Sequence, residues 1–399
     1  MFCNIYRVFV ACGVLIMPYG ISLSGIGPSF LLIFVISLLT TINHSILKKV
    51  CNKLGIPAGV TLETLCGKIY GSKMEKFILI IIAGSQLAAF IGSFILATEL
   101  FHHSLCGSYS SDLECISRTS VASYMAIFNI IMVLIPNLKT FGYISSLSVF
   151  FQFFALLSIF YYASKMLFQR DNLSSLLLEE LFFSNWGNSL QTLGIILYIF
   201  QRITFYLPIH SNYSQMPNFH SFYLRSMNFI FAYIFIISTP CYFQFFSSSR
   251  EIVFQNFKSS FHVIEFFKMA YCLVIFLSNP INLFPIYNSI FSIRSLNKRF
   301  QQQSRVKLYF SKLFFRLIIT CIGIAFGIFI TSFVSFCSFV GAFFFSFLGL
   351  VMPALLLCKV IKNEKIPKSF WENVKLYLCL LYTSPSPRDL STSRMPSSA

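Results

Sequence analysis

Apolar stretches of about twenty residues recur along this chain, and no other feature restricts its fold as much. A bilayer core about 30 Å thick needs roughly 20 apolar residues per crossing helix. Stretches of that kind are expected at 5–22, 27–47, 77–101, 121–136, 141–167, 189–208, 222–246, 261–290, 313–334 and 338–360, and an eleventh begins near Phe370. Inside lipid every backbone N–H and C=O needs an internal partner, so spans of this length are helices. Only 11% of the 399 residues are charged, against roughly 25% in soluble domains, too few to cover a water-facing surface. The expected fold class is therefore an all-α integral membrane protein: a multi-span helical bundle with about ten complete transmembrane helices plus a truncated eleventh. The repetition argues against a single cleaved signal peptide, and the first residues lack a signal-like cleavage site.

The loops test this count. Lys48, Lys49, Lys53, Lys68, Lys73 and Lys76 lie between spans 2 and 3, and Arg294, Lys298, Arg299, Arg305, Lys307 and Lys312 between spans 8 and 9. Lys359, Lys362, Lys365 and Lys368 follow span 10. The alternate loops are acidic or mixed, with Asp112 and Glu114 against Arg118, and Asp171, Glu179 and Glu180 against Arg170. Basic residues gather on the cytoplasmic side, so the alternation predicts a cytoplasmic N-terminus and keeps its phase across ten spans. The net charge of +17 is accounted for by these short loops. No basic face or recognition motif is present, which excludes nucleic acid as a partner. On the expected outer side, Asn172-Leu-Ser174 is a glycosylation acceptor pattern, whereas Asn212-Tyr-Ser214 is expected to be cytoplasmic and unmodified.

Twelve Cys, mostly inside apolar spans and without a CxxC pair, read as small hydrophobes; no metal site and no cofactor are expected. Only Cys106 and Cys115 share a loop, as two free thiols or as a disulfide in an oxidising compartment. The stretch 379–389 resembles the translation of a transposase-type sequencing adapter, so residues 379–399 are expected to be an artefact that cuts off the eleventh span.

A helix broken at membrane depth is tolerated only where it is buried or lines a cavity. Span 1 carries Gly13-Val-Leu-Ile-Met-Pro18, followed by Gly20, Gly25 and Gly27. Gly removes side-chain cover and Pro removes a donor, so this segment is either a plain proline kink or a place where bare backbone meets a ligand. Span 6 carries a second interruption, Ile199-Phe-Gln-Arg-Ile-Thr-Phe-Tyr-Leu-Pro208, five spans later. Paired interruptions in corresponding positions of two halves point to an inverted-repeat transporter. Ionisable residues inside spans are costly and often functional. His44, Glu99, His102, Arg202 and Glu265 qualify. Arg202, well inside span 6, either faces a cavity or snorkels to the interface. No Ser/His/Asp grouping, HExxH or phosphate-binding loop occurs, so no catalytic residue is expected and the chain is not read as an enzyme.

Several segments resemble the amino acid/auxin permease family of secondary amino acid transporters. Val10-Ala-Cys-Gly-Val-Leu-Ile-Met-Pro-Tyr-Gly20 through Gly25 is similar to the family's first-helix pattern, Gly-x-Gly-x-Leu-x-x-Pro-x-Ala and a following Gly. Leu62-Glu-Thr through Gly71, Leu134 through Thr140 with Ser145 to Ser148, Phe200 through Pro208 with Met216-Pro217, Ser278 through Ile286, and Phe339 through Pro353 resemble successive family segments in order. The resemblance covers residues 4–376 and marks 1–378 as a transmembrane amino acid transporter domain. It implies two inverted five-helix repeats, an amino acid substrate, proton or sodium coupling, and a plasma membrane or vacuolar/lysosomal-type location. On matching positions it places Gly13, Val14, Leu15 and Ile16 against the substrate, with Phe200 where span 6 closes over it; Gln201, Arg202 and Thr204 at the span 6 interruption are further substrate-binding candidates. It offers Ser278 as an ion-coupling candidate, to which the ionisable residues Glu99 and His44 inside spans are added. Two departures stand out. Ala11 replaces the first Gly of the helix 1 motif. Gln201, Arg202 and Ile203 stand where the family usually has an acid or polar residue, then Gly and often His. The expected function is secondary active amino acid transport by alternating access; the alternative is a non-transporting amino acid sensor of the same fold.

Overall fold

The computed structural model describes residues 1–363 apart from 11, 57–59, 108–115, 135–137, 170–184, 214, 217, 258–261 and 293–304. Among the described residues every regular element is helical. The eleventh span, the 379–399 tail, Cys115 and Asn172 lie outside them.

The chain opens with α1 (Phe2–Val10), a 3₁₀ turn over Cys12–Ile16, and α2 (Met17–Ser24) with Pro18 in its first turn. Proline suits that position because the first-turn N–H groups have no intrahelical acceptor. The two halves are bent by 45°. Gly25, at φ +89°, ends α2 and starts α3 (Ile26–Lys53); a side chain would resist that backbone conformation. There follow α4 (Leu62–Tyr70), α5 (Ser72–Gly107), α6 (Arg118–Leu134) and α7 (Leu138–Phe168). Next come α8 (Ser189–Phe200), α9 (Tyr206–Asn212), α10 (Phe219–Phe245) and α11 (His262–Ser292). The last are α12 (Arg305–Phe329), α13 (Phe333–Val340), two π turns over Gly341–Phe345 and Phe347–Val351, and α14 (Met352–Asn363).

Six helices among the described residues are long and apolar enough to cross a membrane, and a seventh if α1 and α2 count as one bent span. The apolar part of α12, Leu313–Phe329, is shorter than the span expected at 313–334, and α6 is 17 residues long. Large apolar side chains on the outside make the same point about solvent. Phe30, Phe34 and Leu38 recur every fourth residue of α3 and are 52–59% exposed. A stripe of that kind suits hydrocarbon and not water.

The segment Ser189–Asn212 is the most enclosed of the six spans. α8 packs against α2, α3 and α13. The α8–α13 contact is close because Gly194 faces Ser338 and Gly341 faces the Gly194 carbonyl; a Cβ on either would strike backbone. Small residues at a helix crossing let the backbones approach, the usual basis of helix association in lipid. On the other side α11 runs along α5 and α7.

One end of the bundle is closed by ion pairs. Arg118 meets Glu99 at 2.5 Å and donates to the Ile328 and Ile330 carbonyls at 3.3 and 2.9 Å, capping the C-terminus of α12 where a cation offsets the helix dipole. Lys268, fully buried, donates to Glu265 at 2.6 Å and to His103 Nδ1 at 3.0 Å. Glu251 accepts from the Ser332 hydroxyl at 3.0 Å and the Val334 N–H at 3.3 Å, holding the start of α13. Cys106, at the end of α5, is disulfide-bonded, which suits the oxidising side of a membrane.

Candidate functional site

α-Helical hydrogen bonding gives way to 3₁₀ turns at two places, and the first turn packs against the end of α8 just ahead of the second. The first is the 3₁₀ turn Cys12–Ile16. Val14, Leu15 and Ile16 are buried at 2%, 0% and 0% exposure. Gly13 has no room for a side chain: a Cβ would lie 2.7 Å from Ile199 Cγ1 and 3.2 Å from the Tyr198 ring. Tyr271 of α11 donates its hydroxyl to the Val10 carbonyl at 3.3 Å, just before the lapse. Beyond it, Thr192 of α8 donates to the Gly20 carbonyl at 2.9 Å.

The second lapse begins where α8 ends. Gln201 (φ −89°, ψ +79°) and Arg202 (φ −115°, ψ +35°) leave the helix, a 3₁₀ turn covers Ile203–Phe205, and α9 resumes at Tyr206. There is no glycine here, and polar side chains hold the turn. Gln201 Nε2 donates to Thr40 Oγ1 of α3 at 2.6 Å. Its side chain also lies against Gly349, where a Cβ could not fit. Asn43 Nδ2 donates to the Gly349 carbonyl at 2.8 Å, so α3, the end of α8 and the π-turn segment meet at one point. Arg202 is 4% exposed. Its guanidinium carbon sits 4.4 Å from the Phe345 ring centroid and 5.1 Å from that of Tyr198, within the range of cation–π attraction. Arg202 therefore does not snorkel to water. It is wedged toward the π turns, beside the Tyr198 ring that also borders Gly13.

Three polar atoms at this turn, Gln201 Oε1, Arg202 Nε and Thr204 Oγ1, are buried without a hydrogen-bond partner among the described residues. Such groups cost roughly 1–3 kcal/mol each if left so, and a native site that holds several calls for an explanation. Phe200 is fully buried, its ring centroid 4.1 Å from that of Phe231 on α10.

His44 lies one helical turn from Thr40. Its Nδ1 is 2.7 Å from the Thr40 carbonyl, which can only accept, so Nδ1 carries the hydrogen and Nε2 faces the Tyr223 hydroxyl at 3.4 Å. Its ring also packs edge-on against Tyr206 at 5.4 Å. The structure thus gathers Gly13–Ile16, Phe200, Gln201, Arg202, Thr204 and, through Thr40, His44. Glu99 stands apart in its ion pair with Arg118. The side chain of Ser278 lies outside the described residues; its neighbour Asn279 is buried and donates to Asn129 of α6 at 3.1 Å.

Sequence reasoning passed over Thr40, Asn43, Tyr198, Phe345 and Gly349. A signal for the first two was present: Thr40, Asn43 and His44 recur at three- and four-residue spacing in an apolar span, placing a polar stripe on one helix face. The others are aromatic or small residues among many.

No curated protein matches the chain in a sequence comparison. The family model for transmembrane amino acid transporter proteins matches residues 1–384.

Proposed function

The chain belongs to the transmembrane amino acid transporter family, and from that membership we propose that it is a secondary active transporter working by alternating access. In this reading ten complete helices form two inverted five-helix repeats. The substrate lies between the Cys12–Ile16 turn and the Gln201–Phe205 turn. The observation that carries it is the pairing of two departures from α-helical geometry that both border Tyr198, with the side-chain-free Gly13 at one and, among the described residues, unpartnered buried polar atoms at the other. Backbone amides at the first turn suit the substrate carboxylate, and carbonyls there suit its ammonium. Protons or sodium supply the driving force, with Ser278, His44 and Glu99 as the coupling candidates. Of these, His44 has the best placement, one turn from Thr40 and its bond to Gln201.

A panel of amino acids offered to proteoliposomes under imposed proton or sodium gradients tests this. Gradient-driven accumulation of one class of amino acid is the expected result; uptake that ignores both gradients refutes it. Orientation is tested separately. Glycan at Asn172 and none at Asn212 is expected, and the reverse inverts the topology. Transcript re-sequencing is expected to replace residues 379–399 with the remainder of an apolar helix.

A second reading, an amino acid sensor without turnover, is favoured by one observation. Arg202 fills the space between Tyr198 and Phe345, and a wedged buried cation resists the rocking that transport needs. Substrate that stabilises the protein but never accumulates in proteoliposomes would select this reading.

A further inference from the structure

Away from the two turns, α3, α9 and α10 enclose a cavity of about 240 Å³ at the end of the bundle that carries Lys48, Lys49 and Lys53. At ~30 Å³ per water, it has room for about eight waters. Its polar lining includes Lys48, Asn52, Tyr206, His210, Asn218 and His220, with Ile56, Leu207 and Phe219 among the apolar walls. No carboxylate among the described residues lines it.

The donors around this cavity are unspent. Lys48 makes no ion pair among the described residues. Asn218 sits at the N-cap of α10 with φ +63°, yet its side chain makes no capping bond. The His210 ring is held parallel to Tyr206 at 6.2 Å and tilted against Phe219 at 4.8 Å, with no protein hydrogen bond to its nitrogens among the described residues. His220 is engaged. Ser45 already donates to the Thr41 carbonyl, so His220 Nε2–H donates to Ser45 Oγ at 3.3 Å and Nδ1 accepts from the Tyr206 hydroxyl at 2.9 Å. It forms a fixed wall, while Lys48, His210, Asn52 and Asn218 supply free donors from three segments.

We infer that this cavity binds a phosphate monoester, with Lys48 as its charge partner and His210, Asn52 and Asn218 as hydrogen-bond donors. Donors converging from several directions match a tetrahedral group with three terminal oxygens. A planar carboxylate with two oxygens is better served by an Arg fork, which the lining lacks. The apolar walls accept the ester substituent. Basic pockets between membrane helices are suited to phosphorylated lipid headgroups, and a soluble phosphate ester offers the same chemistry. The assignment stands apart from the transport reading, since it needs only the cavity and its unpaired donors.

The test uses the full chain in nanodiscs. One arm offers a phosphorylated inositol lipid within a phosphatidylcholine bilayer, and the other offers the soluble inositol trisphosphate headgroup. Glutarate serves as a carboxylate competitor, and binding is read by native mass spectrometry and by thermal shift. Saturable binding in either arm is expected. Binding confined to the lipid arm makes the source a lipid, and binding of the headgroup alone makes it a soluble ester. Lys48→Gln should weaken binding about tenfold, Lys48→Arg should retain most of it, and His210→Gln should weaken it several-fold. Lys49→Gln, one residue away and outside the lining, should change it less than twofold. Lys48 is exposed and His210 half-buried, so all four variants should fold; a shared melting temperature without ligand checks this. The assignment is overturned by no binding in either arm, by binding indifferent to Lys48→Gln combined with His210→Gln, or by equal displacement with glutarate.

Discussion

The two turns that interrupt the helices are held by opposite means. At Cys12–Ile16 the chain is kept open by a missing side chain and by apolar packing. Gly13 presses on Tyr198 and Ile199, while Val14, Leu15 and Ile16 are buried. At Gln201–Phe205 no glycine is present, and the turn is held by Gln201 on Thr40 and by Arg202 between two rings. In the proposed reading, the difference sets which parts of each turn would meet a ligand. The first turn offers backbone, because its side chains are spent on packing. The second offers side-chain atoms, because Gln201 Oε1, Arg202 Nε and Thr204 Oγ1 are buried and unmatched. A zwitterion with a carboxylate, an ammonium and a variable side chain has groups for both.

The comparison breaks most visibly at Gly13. Replacing it with Leu drives four carbons into Tyr198 and Ile199, which are both fully buried. Overpacking of this kind costs about 1–3 kcal/mol and sometimes more. Gly13→Leu is expected at the upper end, with loss of the monodisperse peak in fluorescence-detected chromatography. A well-folded Gly13→Leu protein would show that the first turn is not held by packing.

Arg202 tests the second turn. Arg202→Gly should loosen the turn, weaken uptake of acidic substrates about tenfold, equivalent to ~1.4 kcal/mol, and shift selectivity toward neutral amino acids. Arg202→Lys should keep part of the effect, since the charge survives without the planar group that faces Phe345. An unchanged uptake profile for Arg202→Gly would make Arg202 a packing element alone.

A smaller effect sharpens the polar account. In a double-mutant cycle of Gln201→Leu and Thr40→Val, thermal unfolding should give a coupling of about 1 kcal/mol, the usual net value of one hydrogen bond. Additive single effects would mean that the 2.6 Å contact contributes nothing. The smallest expected change in transport comes from Glu99→Gln. It removes the carboxylate that faces Arg118 and should lower stability by about 1 kcal/mol, while gradient-driven uptake per folded molecule stays constant. Lost coupling with unchanged stability would single out Glu99 among the ion-coupling candidates.

Membrane residence, the all-helical class and the place of both turns were legible in the residues themselves. Runs of apolar residues set span length, and Gly13 with Pro18 or Gln201 with Arg202 interrupt those runs locally. Tertiary structure alone decided what each polar residue meets. Nothing in sequence separated Glu99, which pairs with Arg118 and caps α12, from His44, which joins the turn through Thr40. Nothing in sequence pointed Arg202 toward Phe345, 143 positions later, or set Gln201 over Gly349. The physical reason is that lipid is as apolar as the side chains facing it, so hydrophobic patterning leaves the inward face of a span weakly marked. Which face turns inward is settled by close packing at Gly194 and Gly341 and by hydrogen bonds between distant helices, and both exist only once the bundle has assembled.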